Sequence, residues 1–241
     1  MEREYIKWYS PLLNKEMELL AFGNAGTAVL FFPTRTARFY DYENWKVIEA
    51  IRPKIANGEL QVFCVDSYDA ESFYSFNPPS EKIRKHLAYE NYILQEVIPF
   101  IFSRNGNCKI IVAGCSLGGY HAINIAMRHP QYFYKVLSMS ARYDLTLSSD
   151  KFPDLLNGYF DENIYYNMPS KFMPNLTDEN ILNKVRDMKI TLVIGNKDPF
   201  LFNNECFADI LWQKQVNPEL IVWNEEAHRP YYWRRMVQLY L

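Results

Sequence analysis

Ser116 stands between two glycines in Gly114-Cys115-Ser116-Leu117-Gly118, a G-x-S-x-G spacing. The run Lys109–Ala113 before it reads as a strand, and Gly118–Arg128 after it reads as a helix. A strand that turns at once into a helix forces its corner residue into strained backbone angles. Side chains two positions to either side would collide, so glycine suits both. The corner hydroxyl then stands exposed at the sheet edge, over a helix N-terminus. Bare, the pattern is weak; between strand and helix it points to a nucleophile elbow. Similar glycine-rich turns bind phosphates in dinucleotide folds, but neither G-x-G-x-x-G nor a P-loop lysine is present.

A serine hydroxyl is a poor nucleophile near neutral pH. It needs a base within hydrogen-bond reach, and that base needs a carboxylate to fix its tautomer. There are four histidines. His86 lies on a helical pattern before the serine, His121 one turn beyond it, and His129 at a helix end beside Pro130. These three read as structural. His228 instead falls in a loop after the last strand, Asn224-Glu225-Glu226-Ala227-His228, just before a terminal helix. Among acids, Asp198 follows the strand Ile190–Ile194, and Pro199 holds it extended. Asp144, after Lys135–Met139, is the alternative; Asp66 and Asp69 read as loop residues.

Positioning these groups falls to an alternating series of elements. Tyr5–Tyr9 and Glu16–Phe22 read as a hairpin around Pro11–Asn14. Thr27–Phe32, Leu60–Val65, Lys135–Met139 and Leu220–Trp223 read as further strands. Helices are expected at Tyr42–Ile55, Ser80–Ser103 with a kink at Pro99, Thr177–Met188 with Thr177 as N-cap, Phe202–Gln215, and from Pro230. The order predicts an α/β fold in one domain spanning 1–241: a mostly parallel sheet, an antiparallel N-terminal edge, and helices on both faces. The pattern fails over 144–175, after the sixth strand, which marks a lid-like insertion.

The chain has 241 residues, of which 49% are hydrophobic and 22% charged. That is ordinary for a globular protein and long enough for a large core. With a net charge of −2 and no basic stripe, nucleic acid is not an expected partner. No apolar run approaches the roughly 20 residues of a membrane span, and the first residues lack the apolar core of a signal peptide. Cys64, Cys108, Cys115 and Cys206 form no C-x-x-C pair and read as free thiols, the first three of them buried. A reducing, cytoplasmic setting is therefore expected. H-E-x-x-H is absent and the histidines are not at ligand spacing, so neither metal nor cofactor is expected.

The segments F-F-P-T-R-T-A-R-F-Y at 31–40, G-C-S-L-G-G-Y-H at 114–121, G-N-K-D-P-F at 195–200 and E-A-H-R-P-Y-Y-W-R-R at 226–235 carry a resemblance covering nearly the whole chain. The sequence resembles the α/β-hydrolase superfamily, and within it the Putative esterase group of esterase D-like and mycolyltransferase-like esterases. The resemblance implies a serine hydrolase with chain order Ser116, Asp198, His228, acting on a carboxylic ester or thioester through an acyl-enzyme. An acyltransferase with an alcohol acceptor is the alternative, and a non-catalytic binding protein a further one. The oxyanion is expected at two backbone amides: Leu117, and one from the loop Pro33–Ala37. Proline has no amide hydrogen, so Pro33 is excluded; the family's aligned loop favours Arg35, with Thr34 the alternative. The family's usual glycines are missing from this loop, leaving Arg35 and Arg38 either facing solvent or binding an acidic substrate group. Aromatics, 16% of the chain, crowd the loops near the strand ends. They suggest either an acyl or sugar pocket under the 144–175 insertion or simple packing. The expected partner is a small-molecule ester, an acylated carbohydrate among the candidates, and relatives commonly self-associate as homo-oligomers.

Overall fold

The computed structural model describes residues 1–106 and 109–241; Cys108 lies outside the described residues. Eight strands form one sheet: β1 Arg3–Ser10, β2 Lys15–Phe22, β3 Thr27–Phe32, β4 Leu60–Val65, β5 Ile110–Cys115, β6 Phe133–Met139, β7 Lys189–Gly195 and β8 Glu219–Trp223. Their spatial order is β1-β2-β4-β3-β5-β6-β7-β8. β1 pairs with β2, and β2 with β4, antiparallel; every later pairing is parallel. The antiparallel edge and parallel body follow the expected order of elements. They give the α/β-hydrolase architecture its shared edge, where β3, β5, β6, β7 and β8 all end.

Side chains alternate across a strand, so a strand buried on both faces reads as a nearly continuous apolar run. In β3, Leu30 and Phe32 enter one core and Val29 and Phe31 the other. The first core is closed by Pro79–Tyr92, Ile98–Asn105, Leu117–Arg128, Glu179–Arg186 and Leu201–Gln213. The second is closed by short helices between 41 and 56 and by Pro230–Tyr240.

Three helices differ from expectation. The single helix at Tyr42–Ile55 is instead three short ones, Asp41–Asn44, Val47–Ala50 and Arg52–Ala56. Lys46 adopts φ +58° between the first two, and Pro53 can neither donate a helical bond nor sit beneath the carbonyl four residues earlier. In the long helix the irregularity precedes Pro99, as a π-helical stretch at Ile93–Val97. Pro99 cannot serve the Gln95 carbonyl, and a wide turn there absorbs the mismatch. Thr177 does not cap its helix. Asp178 does, its carboxylate accepting the Asn180 amide at 2.8 Å, and the helix runs Glu179–Arg186.

The 144–175 segment contains the short helices Glu162–Tyr165 and Pro169–Phe172. Leu145, Leu155, Leu156, Ile164 and Met168 build a third apolar cluster against Leu117 and Tyr120 of the helix after Ser116.

Candidate active site

Ser116 stands between β5 and the helix Leu117–Arg128 with φ +56° and ψ −121°, a strained corner conformation for a residue with a Cβ. The two flanking glycines make the corner possible. A Cβ on Gly114 would stand 2.1 Å from the Gly118 carbonyl oxygen, and one on Gly118 would stand 2.4 Å from that of Phe32. The Ser116 amide donates to the Met139 carbonyl at 2.8 Å, which ties the corner to the end of β6.

The structure brings Ser116, His228 and Asp198 together. Ser116 Oγ lies 2.9 Å from His228 Nε2, and His228 Nδ1 lies 2.7 Å from Asp198 Oδ2. With Nδ1–H donating to the carboxylate, the Nε2 lone pair faces the serine hydroxyl. Such an arrangement can remove the hydroxyl proton as the oxygen attacks a carbonyl. The Asp198 side chain is fully buried and its other oxygen accepts the Phe200 amide at 3.0 Å, so the carboxylate is aimed from both ends.

Two further features hold the imidazole loop. Ala227, just before His228, adopts φ +57°, and its carbonyl accepts the Ser140 hydroxyl at 2.7 Å. The Trp233 indole donates to the same Ser140 oxygen at 3.2 Å. Gly195 lets the loop carrying Asp198 approach; a Cβ there would be 2.1 Å from the Glu225 carbonyl oxygen.

The loop after β3 is held by acids that sequence reading treated as ordinary loop residues. Asp69 Oδ2 accepts the Thr36 amide at 3.4 Å, and its Oδ1 lies 3.1 Å from the buried His121 Nε2. Asp66 takes the Arg38 guanidinium at 2.8 Å and also the Phe39 amide. Burial raises the Asp66 pKa and the Arg38 contacts oppose it. Arg38 is thus committed to Asp66 and Glu18, whereas Arg35 is exposed and lines the cleft over Ser116. The Thr36 and Ala37 amides are used within this framework. Those of Thr34 and Arg35, like that of Leu117, have no protein acceptor among the described residues.

Asp144 stands elsewhere. It pairs with Lys171 at 2.9 Å and accepts the Thr146 amide and hydroxyl. Burial would raise its pKa, but the Lys171 and Thr146 contacts outweigh that and hold it low. His86 and His129 bond Asn167 and Glu90, and His121 Asp69, all away from Ser116.

A cleft of about 400 Å³ opens over Ser116 and His228, lined also by Thr34, Arg35, Tyr74, Phe152 and Trp233. A neighbouring cleft of about 390 Å³ shares Phe152 and His228 as its wall. Of the aromatics in the 144–175 insertion, Phe152 lines these clefts, its ring centroid 5.0 Å from that of His228. Tyr159, Phe160 and Tyr166 are exposed, and Tyr165 and Tyr166 line a separate groove near Thr177. The aromatic crowding in the sequence is therefore mostly core and surface, with a few rings at the site.

The chain matches the family model described as Putative esterase over residues 34–234. No curated protein matches the sequence. Among solved structures it is similar to a ferulic acid esterase, with 19% identity, TM-score 0.79, and coverage of 100% of this chain and 96% of that one. It is similar to an S-formylglutathione hydrolase from Agrobacterium tumefaciens, with 15% identity, TM-score 0.74, and coverage of 98% and 91%. It is also similar to Mycobacterium tuberculosis MPT51, with 13% identity, TM-score 0.71, and coverage of 99% and 96%. At these identities the structures speak to fold, and the family rests on the model match: the chain belongs to the Putative esterase family, and is a carboxylesterase-type enzyme on an α/β-hydrolase fold.

Proposed function

We propose that this enzyme cleaves a carboxylic ester or thioester through an acyl-enzyme on Ser116. The observation that carries the reading is the relay from Ser116 Oγ through His228 to Asp198, at 2.9 and 2.7 Å, beneath an open cleft. Ser116 Oγ attacks the carbonyl carbon while His228 Nε2 takes its proton. Asp198 stabilises the resulting imidazolium. The carbonyl oxygen becomes an oxyanion held by the Leu117 amide and one from Arg35 or Thr34; each such donor typically contributes about 3–4 kcal/mol. As the tetrahedral intermediate collapses, the bond to the leaving oxygen or sulfur breaks and Nε2 returns the proton to it. Water then attacks the acyl-enzyme, His228 accepting its proton, and the acid and Ser116 are released.

Alcohol in place of water would give acyl transfer from the same intermediate. Phe152 and the insertion around it are proposed as the selectivity element, in one domain over 1–241. A small-molecule ester is the substrate, and the cytoplasm is the setting, supported by the free thiols Cys64, Cys115 and Cys206. Mass spectrometry of enzyme quenched during turnover of an activated acetyl ester tests the chemistry. One acetyl group on Ser116 is expected, with free acid as the product even when alcohols are added. An acetyl group elsewhere, or none during a burst of released alcohol, would refute the mechanism.

A further inference from the structure

Arg142 is 5% exposed, yet no carboxylate pairs with it among the described residues. Its Nη1 donates to the carbonyls of Leu147 and Pro153, and its guanidinium lies 5.2 Å from the Phe200 ring centre. The nearby acids are committed elsewhere: Asp144 to Lys171 and Thr146, Asp154 to the amides of Leu156 and Gly158. A buried cation without a counter-ion is costly, and such charges gather at functional sites.

A second unpaired cation stands at the cleft itself. Arg35 is exposed, forms no ion pair among the described residues, and lies 5.5 Å over the ring of Tyr74. Both guanidiniums act on the Tyr74 phenol: burial raises its pKa, while Arg142 and then Arg35 pull it back. Arg35 and Tyr74 line the cleft that holds Ser116. The one carboxylate lining that cleft, Asp41, already accepts the Arg38 amide at 2.8 Å.

We propose that Arg35 and Tyr74, backed by Arg142, form an anion-binding subsite, and that the preferred esters carry a carboxylate a few bonds from the scissile carbonyl. A planar guanidinium can hold a carboxylate through two parallel hydrogen bonds. Arg142 does not line the cleft; its charge acts on the Tyr74 phenol, which does. The inference rests on the esterase reading and supplies its substrate class.

The test compares kcat/KM within matched pairs. Methyl pentanoate and monomethyl glutarate differ by a carboxylate in place of the terminal methyl of the acyl arm. Phenyl acetate and 4-acetoxybenzoate place the carboxylate on the leaving group. The charged member of at least one pair is expected to be preferred about tenfold or more, with the preference shrinking as sodium chloride is raised. Arg35→Met should abolish the preference, Arg142→Met should reduce it, and Arg35→Lys should keep part of it. A ratio taken within one preparation cancels losses of folded enzyme or of oxyanion geometry. No preference in either pair, or one that survives Arg35→Met, would overturn the inference while leaving the esterase reading intact. Hydrolysis of neither member of either pair would sink that reading and this inference with it.

Discussion

The amide of Cys115, the residue before the nucleophile, donates to the hydroxyl of Tyr42 at 3.0 Å. That hydroxyl in turn donates to the Phe32 carbonyl at 2.8 Å, and the tyrosine is almost wholly buried. One phenol thus joins the end of the nucleophile strand to the start of the loop proposed to stabilise the oxyanion. Tyr42→Phe leaves a buried amide and a buried carbonyl without a partner, each costing about 1–3 kcal/mol. A lowered denaturant midpoint is expected, with kcat reduced more than KM is changed. Unaltered stability and kcat would mean that the two ends are held by other contacts.

The two acids make opposed predictions. Asp198→Asn should lower kcat about 10³–10⁴-fold, because the imidazole loses its fixed tautomer, with little change in stability. Asp144→Asn should leave kcat nearly intact and destabilise the fold, since Asp144 serves Lys171 and Thr146. The reverse pattern in steady-state rates would assign the acid to Asp144.

A pH effect on stability is expected from His86. Its ring is buried, and burial, followed by the charges of His121 and Arg128, drives its pKa well below the ordinary value. The unfolded chain takes up this proton at about pH 6.5, and the folded chain does so only at lower pH. The contribution is therefore full above about pH 6.5 and is lost below it, at up to about 1.4 kcal/mol per pH unit. Urea unfolding at pH 7.5 and 5.5 checks this: His86→Gln should lose less stability between the two than the native chain. Equal losses would remove His86 as the cause.

What could be read in advance was local. Gly114 and Gly118 announce the corner because the steric conflict they relieve lies within five residues. The mostly apolar runs of β3 to β7 announce strands because burial on both faces leaves few polar positions, Gln61, Ser138 and Thr191 among them. Asp198 and His228 were approachable because each follows a strand and the fold fixes their order. Tyr42, Asp69 and Ser140 were not approachable, since their partners Cys115, His121 and Ala227 are distant in sequence and nothing in their neighbourhoods signals the contact. The same holds for Arg35 and Arg38, three positions apart in the chain and alike in charge. Only the placement of Asp66 and Glu18 shows that Arg38 is occupied and Arg35 is not. Lys46 broke the expected helix through a backbone angle that lysine rarely adopts.

The central claim is that His228 makes the Ser116 hydroxyl nucleophilic. Labelling with a fluorophosphonate measures this directly, because the probe reacts with an activated serine and not with an ordinary one. One adduct per chain, located at Ser116, is expected for the native protein, with none in Ser116→Ala and a rate reduced by several orders of magnitude in folded His228→Ala. A natively folded chain that stays unlabelled, or one labelled just as fast without His228, would contradict the account.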